Sequence, residues 1–169
     1  MTPPRLRGRA RLFGDDVNTD YIISSTRKRE SLDPLVLRQY LFEGIDPAFA
    51  ASIAPGDLLV AGKNFGCGSA MEVAVTAILG AGIPAVLAVS FSRTYYRNAI
   101  NNGLLPLICD TRRIGAGDIL SIGGGPEMIV HNETTGETLM PETLPPIMLD
   151  ILASGGLVPY MRRHGGFVV

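Results

Sequence analysis

Ser69 stands directly after Gly66-Cys67-Gly68 and just before the run Met71 to Gly80. A hydroxyl placed where a glycine-rich loop turns into a helix meets unpaired N–H groups and the positive end of the helix dipole. The glycines let a ligand approach the backbone closely. Carboxylates and phosphates suit such a place, and the same field lowers the cost of an alkoxide on the serine. The spacing Ser69-x-x-Glu72 also fits a capping box, in which the hydroxyl accepts from the Glu72 N–H and the Glu72 carboxylate returns to the serine N–H. On the residues alone, capping and chemistry are both open to Ser69.

Other signatures are excluded by their order. The glycines follow Lys63 rather than precede it, so this is not a nucleotide-binding P-loop. Gly66-Cys67-Gly68-Ser69-Ala70-Met71 starts as G-x-G-x-x-G does but ends in methionine, against a dinucleotide site. His131 and His164 lie far along the chain from Ser69, which argues against a Ser-His hydrolase. Cys67 has no neighbouring His or second Cys and reads as a packed thiol. Cys67 and Cys109 lack metal-ligand spacing, so no metal site is expected within the chain.

The elements that must position Ser69 follow from pattern. Leu58 to Ser90 reads as strand, loop, helix and parallel strand. Ahead of it, Arg5 to Phe13 reads as a strand ended by Gly14-Asp15-Asp16. Val17 to Ile23 reads as a polar turn leading into a short strand, and STRKRES as a solvated charged loop. Asp33-Pro34 opens a helix to about Phe42, and Asp46-Pro47 a shorter one to Ala51. After it, Phe91 to Asn102 is a helix closed by Gly103, with Arg93 and Arg97 four apart on one side, either solvated or facing an anion. Leu104 to Cys109 is a buried strand. Residues 117–140 form a β-meander with a turn at Gly123 to Pro126, and Pro145 to Ala153 and Leu157 to Arg163 are a helix pair.

The chain has 169 residues, 46% hydrophobic and 18% charged, with 15 Lys+Arg against 16 Asp+Glu. These values fit one well-packed mixed α/β domain over residues 1–169 and give no electrostatic case for nucleic acid. No apolar run reaches the roughly 20 residues that span a bilayer, and MTPPRLRGRA lacks the apolar core of a signal peptide. A cytoplasmic protein without a membrane partner is expected.

Three stretches together are recognisable: NTDYII at 18–23, GKNFGCGSAMEVA at 62–74 and SFSRTYYRNAINNGLLPL at 90–107. In order and spacing they resemble the small subunit of 3-isopropylmalate dehydratase, the counterpart of the swivel domain of aconitase. The resemblance implies a single β/β/α swivelling domain with a mixed sheet and C-terminal meander. It also implies a separate large catalytic subunit carrying a [4Fe-4S] cluster, and reversible dehydration of a small hydroxy-acid, as in leucine biosynthesis.

In that family the loop reads G-S-S-R-E-H-A, with the first serine as proton-abstracting base and the arginine on a substrate carboxylate. Ser69 matches the base and Glu72 and Ala74 their places, whereas Ala70, Met71 and Val73 depart. A thioether cannot make the bidentate contact of an arginine, so substrate recognition differs at Met71. RKRE at 27–30 falls on a short specificity motif, Tyr-Leu-Arg-Thr in some relatives, with Arg29 on its arginine. Arg27 and Lys28 there suggest a more anionic or polar substrate end. The resemblance thus implies Ser69 as catalytic residue, Arg29, Gly68, Arg93 and Arg27 as substrate contacts, and Asp20, Gly66 and Glu72 as residues that order the loop. A paralogue for another acid, such as a methylated malate, and a non-catalytic binding subunit are the alternatives.

Overall fold

The computed structural model describes residues 3–124 and 126–168; Gly125, in the expected Gly123 to Pro126 turn, lies outside them. In chain order the elements are β1 (Leu6–Leu12), α1 (Thr19–Ile22), α2 (Ser25–Glu30), α3 (Pro34–Leu37) with a 3-10 turn at Arg38–Tyr40, α4 (Phe49–Ser52) and β2 (Leu58–Ala61). There follow α5 (Val73–Gly80), β3 (Ala85–Ala88), α6 (Arg93–Asn102), β4 (Leu105–Ile108), β5 (Ile119–Ile122), β6 (Val130–Asn132), β7 (Thr138–Leu139), α7 (Pro146–Ala153) and α8 (Leu157–His164). One mixed sheet runs in the order β4-β3-β2-β1-β5-β6-β7. β1 to β4 are parallel neighbours, and β5 to β7 form the antiparallel meander. β1 joins the halves, pairing parallel to β2 through Ala10 to Leu12 and antiparallel to β5 through Leu6 to Arg9.

Every residue of β2 and β3 is buried, as uninterrupted apolar strands require when both sheet faces are covered. Leu59, Ala61, Val86 and Ala88 face a core shared with α1, α3 and α5, while Leu58, Val60, Ala85 and Leu87 face one shared with α7 and α8. The β2-α5-β3 unit, α6 with Gly103 in left-handed conformation (φ 85°), the meander and the terminal helix pair all take the expected form.

Three segments differ. Residues 19–22 form the single-turn helix α1 rather than a strand, because Asn18 accepts from the Asp20 N–H at its start and the turn drives Ile22 and Ile23 into the core. STRKRES is not a loop: Ser24 caps the helix α2, whose residues are all at least partly exposed. The helix at Pro34 tightens to a 3-10 turn and stops at Tyr40, after which Phe42 adopts φ 56° and stacks on Phe13 at 4.1 Å.

Beside β1, Asp57 ties down the turn before β2. Its carboxylate, 4% exposed, pairs with Arg9 at 2.9 Å and Arg11 at 3.2 Å and accepts from the Ala54 N–H. Burial alone would raise this carboxyl, but the hydrogen bonds from Arg9, Ala54 and Arg11 together hold it below its ordinary value. A group so depressed contributes stability above its unfolded pKa, about 4, and loses it as pH falls through the folded value. Asp57→Asn is expected to cost about 2 kcal/mol at pH 7. In thermal melts the gap to the unsubstituted protein should narrow below about pH 4.

Candidate functional site

The loops that follow β1, β2 and β3 leave the C-terminal ends of adjacent parallel strands, where open α/β sheets place ligands. Hydrogen bonds lace them together. The Gly62, Asp16 and Gly66 amides bond to Gly14, Lys63 and Val17 carbonyls, and the Phe65 and Ser92 amides to Ser90 and Phe65 carbonyls. Asp15 accepts from the Lys63 N–H at 2.7 Å, and Asp16 from the Asn64 side chain at 2.9 Å.

Two glycines set the approach to Ser69. Gly66 has φ +80°, and a Cβ there would lie 2.1 Å from Cγ of Tyr95. Gly68 has φ +90°, and a Cβ there would lie 2.5 Å from the Asn18 amide group. Thr19, itself buried, fixes the loop from the other side: its N–H donates to the Cys67 carbonyl at 2.8 Å and its hydroxyl to the Ser69 carbonyl at 2.7 Å. Tyr95 donates its hydroxyl to the Ala74 carbonyl at 2.9 Å, holding α6 against α5.

Gly68, Ser69 and Ala70 are exposed at the end of this scaffold. The expected capping box is not formed. α5 begins at Val73 with Glu72 at its cap and no side-chain cap hydrogen bond, and Met71, 5% exposed, turns into the core cluster just ahead of it. Glu72 is exposed at the positive helix end, a favourable place for a carboxylate. Among the described residues the Ser69, Ala70, Met71 and Glu72 amides donate to no backbone carbonyl in loops or turns. The Ser69 hydroxyl thus stands among free N–H donors without spending itself on a cap, an arrangement suited to a negative oxygen.

The other residues separate by role. Asp20 accepts from the Ser25 N–H at 2.9 Å and so links α1 to α2. Arg27 bonds Glu43 at 2.9 and 3.2 Å, reaches Glu30 at 3.3 Å and lies over the Tyr40 ring at 3.8 Å. These contacts anchor α2 and occupy the guanidinium, so the added positive charge expected from Arg27 is not free. Arg29 is exposed and makes no ion pair among the described residues. Arg93 lines a groove between α6 and α7 with Tyr96, Arg97 and Ile100, while the preceding Ser92 N–H donates to the Phe65 carbonyl of the loop that leads to Ser69. Asn18 and Thr19, which hold the loop, were not singled out by sequence, although both lie in the NTDYII stretch. The spacing of Met71, Ala74 and Ile78 is the signal for an inward Met71.

Ser69 lines none of the clefts of about 710, 660 and 630 Å³; its surroundings are open. Among the described residues no three His, Cys, Asp or Glu side chains gather to hold a metal. Two cysteines also fall short of the thiolates that an iron-sulfur cluster needs. Cys109 is buried, and burial, with Asp110, pushes its thiol up to about 11. The chain's own residues therefore do not fit such a cluster. No helix among the described residues is long and apolar enough to cross a membrane.

Residues 39–112 match the aconitase C-terminal domain. The chain is 47% identical to the methanogen homoaconitase small subunit of Methanocaldococcus jannaschii, over 94% of this chain and 92% of that one. It is 42% identical to the isopropylmalate/citramalate isomerase small subunit of the same organism, over 94% of each. A solved 3-isopropylmalate dehydratase structure, also from M. jannaschii, superposes with a TM-score of 0.89 at 43% identity, covering 96% of both chains.

Proposed function

The chain belongs to the isopropylmalate dehydratase family as the small subunit of a hydro-lyase of isopropylmalate dehydratase or homoaconitase type, and from that premise we propose that its Ser69 is the base for a branched hydroxy-dicarboxylate, 3-isopropylmalate foremost. The reaction is then a step of leucine biosynthesis. The observation that carries this reading is the exposed Ser69 hydroxyl, held by Thr19, Gly66 and Gly68 among free amides on a surface with no cleft of its own. Such a surface is half a site. The large subunit supplies the rest, including any [4Fe-4S] cluster, for which the described residues of this chain gather no ligand set.

Ser69, as its alkoxide, takes the proton from the substrate carbon, the C–H electron pair becomes the new double bond, and the hydroxyl leaves the neighbouring carbon as water once protonated from the large subunit's side of the site. An isolated serine is far too weak a base. The free amides and the α5 dipole supply the stabilisation of the alkoxide, and the amide beside Gly68 is within the loop that meets the substrate. Arg29 is the cation this chain offers to a substrate carboxylate, since Arg27 is spent on Glu43 and Tyr40.

Met71, turned inward, brings no positive charge to the loop beside Ala70. A substrate with an alkyl group there, isopropyl or methyl, fits better than one with a third carboxylate. With the pair of subunits, kcat/KM for dehydration of 3-isopropylmalate or a methylated malate should exceed that for the hydroxy-tricarboxylate homoisocitrate by about 10²-fold; the reverse order would overturn this choice of substrate. Arg29→Ala should raise KM about tenfold or more with kcat changed far less, as loss of a ground-state carboxylate contact predicts.

A further inference from the structure

Arg93 opens α6 and Arg97 follows one turn later on the same side. Both are exposed, and neither has an ion pair or hydrogen bond among the described residues. Their placement is unfavourable for the helix. Two cations at i, i+4 repel, and Arg93 sits at the positive end of a helix whose first turn carries no acid. An anion between them would reverse both penalties.

The groove they border, between α6 and α7, measures about 630 Å³ and is lined by Phe91, Ile100, Ile108, Ile147 and Ile151. Phe167 of the C-terminal tail also lines it, 61% exposed. Glu142 stands close enough to act, after burial, on the Tyr96 hydroxyl, but it lines the neighbouring cleft with Lys63 and Arg112. The size is that of a small-molecule site, and an apolar floor with two convergent cations selects a ligand with an aliphatic body and an anionic head.

We propose that the groove between α6 and α7 binds a small aliphatic monocarboxylate, its chain against the isoleucines and its carboxylate between Arg93 and Arg97. Ser69 is not among the residues that line this groove. The test is a titration of the whole chain with sodium octanoate, followed by calorimetry and by amide chemical shifts. Saturable binding of one equivalent with Kd of about 1 mM or tighter is expected, with shifts confined to α6, α7 and the tail. Octanamide, of the same shape without the charge, should bind at least tenfold more weakly. The R93Q/R97Q double variant, its fold checked by its melt, should lose about the same factor. Absence of saturation, equal binding of octanamide, or shifts centred on residues 66–72 would each overturn the proposal. The octanamide comparison on the unsubstituted chain decides even where the double variant fails to fold.

Discussion

Ser69→Ala in the assembled two-subunit enzyme is expected to lower kcat by about 10³-fold while KM stays within about threefold. The expectation rests on how the loop is held. Its path is fixed by the Thr19 hydroxyl on the Ser69 carbonyl, by the Thr19 amide on the Cys67 carbonyl and by the positive φ of Gly66 and Gly68. The Ser69 side chain caps nothing, so removing its hydroxyl leaves the backbone and its free amides in place. Stability should therefore change by no more than about 0.5 kcal/mol, the usual range for an exposed residue. Unchanged turnover in this variant would favour a binding subunit without chemistry. Thr19→Val is the companion, since it removes the bond to the Ser69 carbonyl and lowers kcat through position alone.

Gly66→Ala should be the most damaging small substitution in the loop. The new Cβ would fall 2.1 Å from Cγ of Tyr95, a buried ring bonded to the Ala74 carbonyl, at a residue with φ +80°. A left-handed conformation costs an L-residue about 1–2 kcal/mol, and overpacking adds about 1–3 kcal/mol. A total loss of about 3 kcal/mol in chemical denaturation is expected, with activity falling because the loop must shift to make room. Gly44→Ala, where a Cβ meets nothing within 4 Å, is the control and should be close to neutral. Equal losses at both positions would contradict the role given to Gly66.

The sequence made the long-range frame legible where patterns were long. The apolar runs at 58–61 and 85–88 with a turn between them could only be parallel strands around a helix, and Gly103 marked the end of α6. Short elements were a different matter. α1 and α2 have four and six residues, too few to show a helical period, and each depends on one cap, Asn18 or Ser24. The spacing of Ser69 and Glu72 leaves capping open to Ser69, whereas the helix starts only at Val73, with Met71 buried just ahead of it. In the site, Ser69 and the glycines could be found from local order. That Arg27 is consumed by Glu43 and Tyr40, and that Arg93 shares a groove with residues of α7, depends on how distant segments come together.

The most direct measurement is dehydration of 3-isopropylmalate by this chain alone, by the large subunit alone and by the two together. Turnover is expected only in the mixture, rising to saturation as the chain is added and lost when the Ser69→Ala chain takes its place. Turnover by the large subunit alone, or a mixture equally active with the alanine variant, would contradict the assignment of Ser69 as the base that this chain brings to its partner.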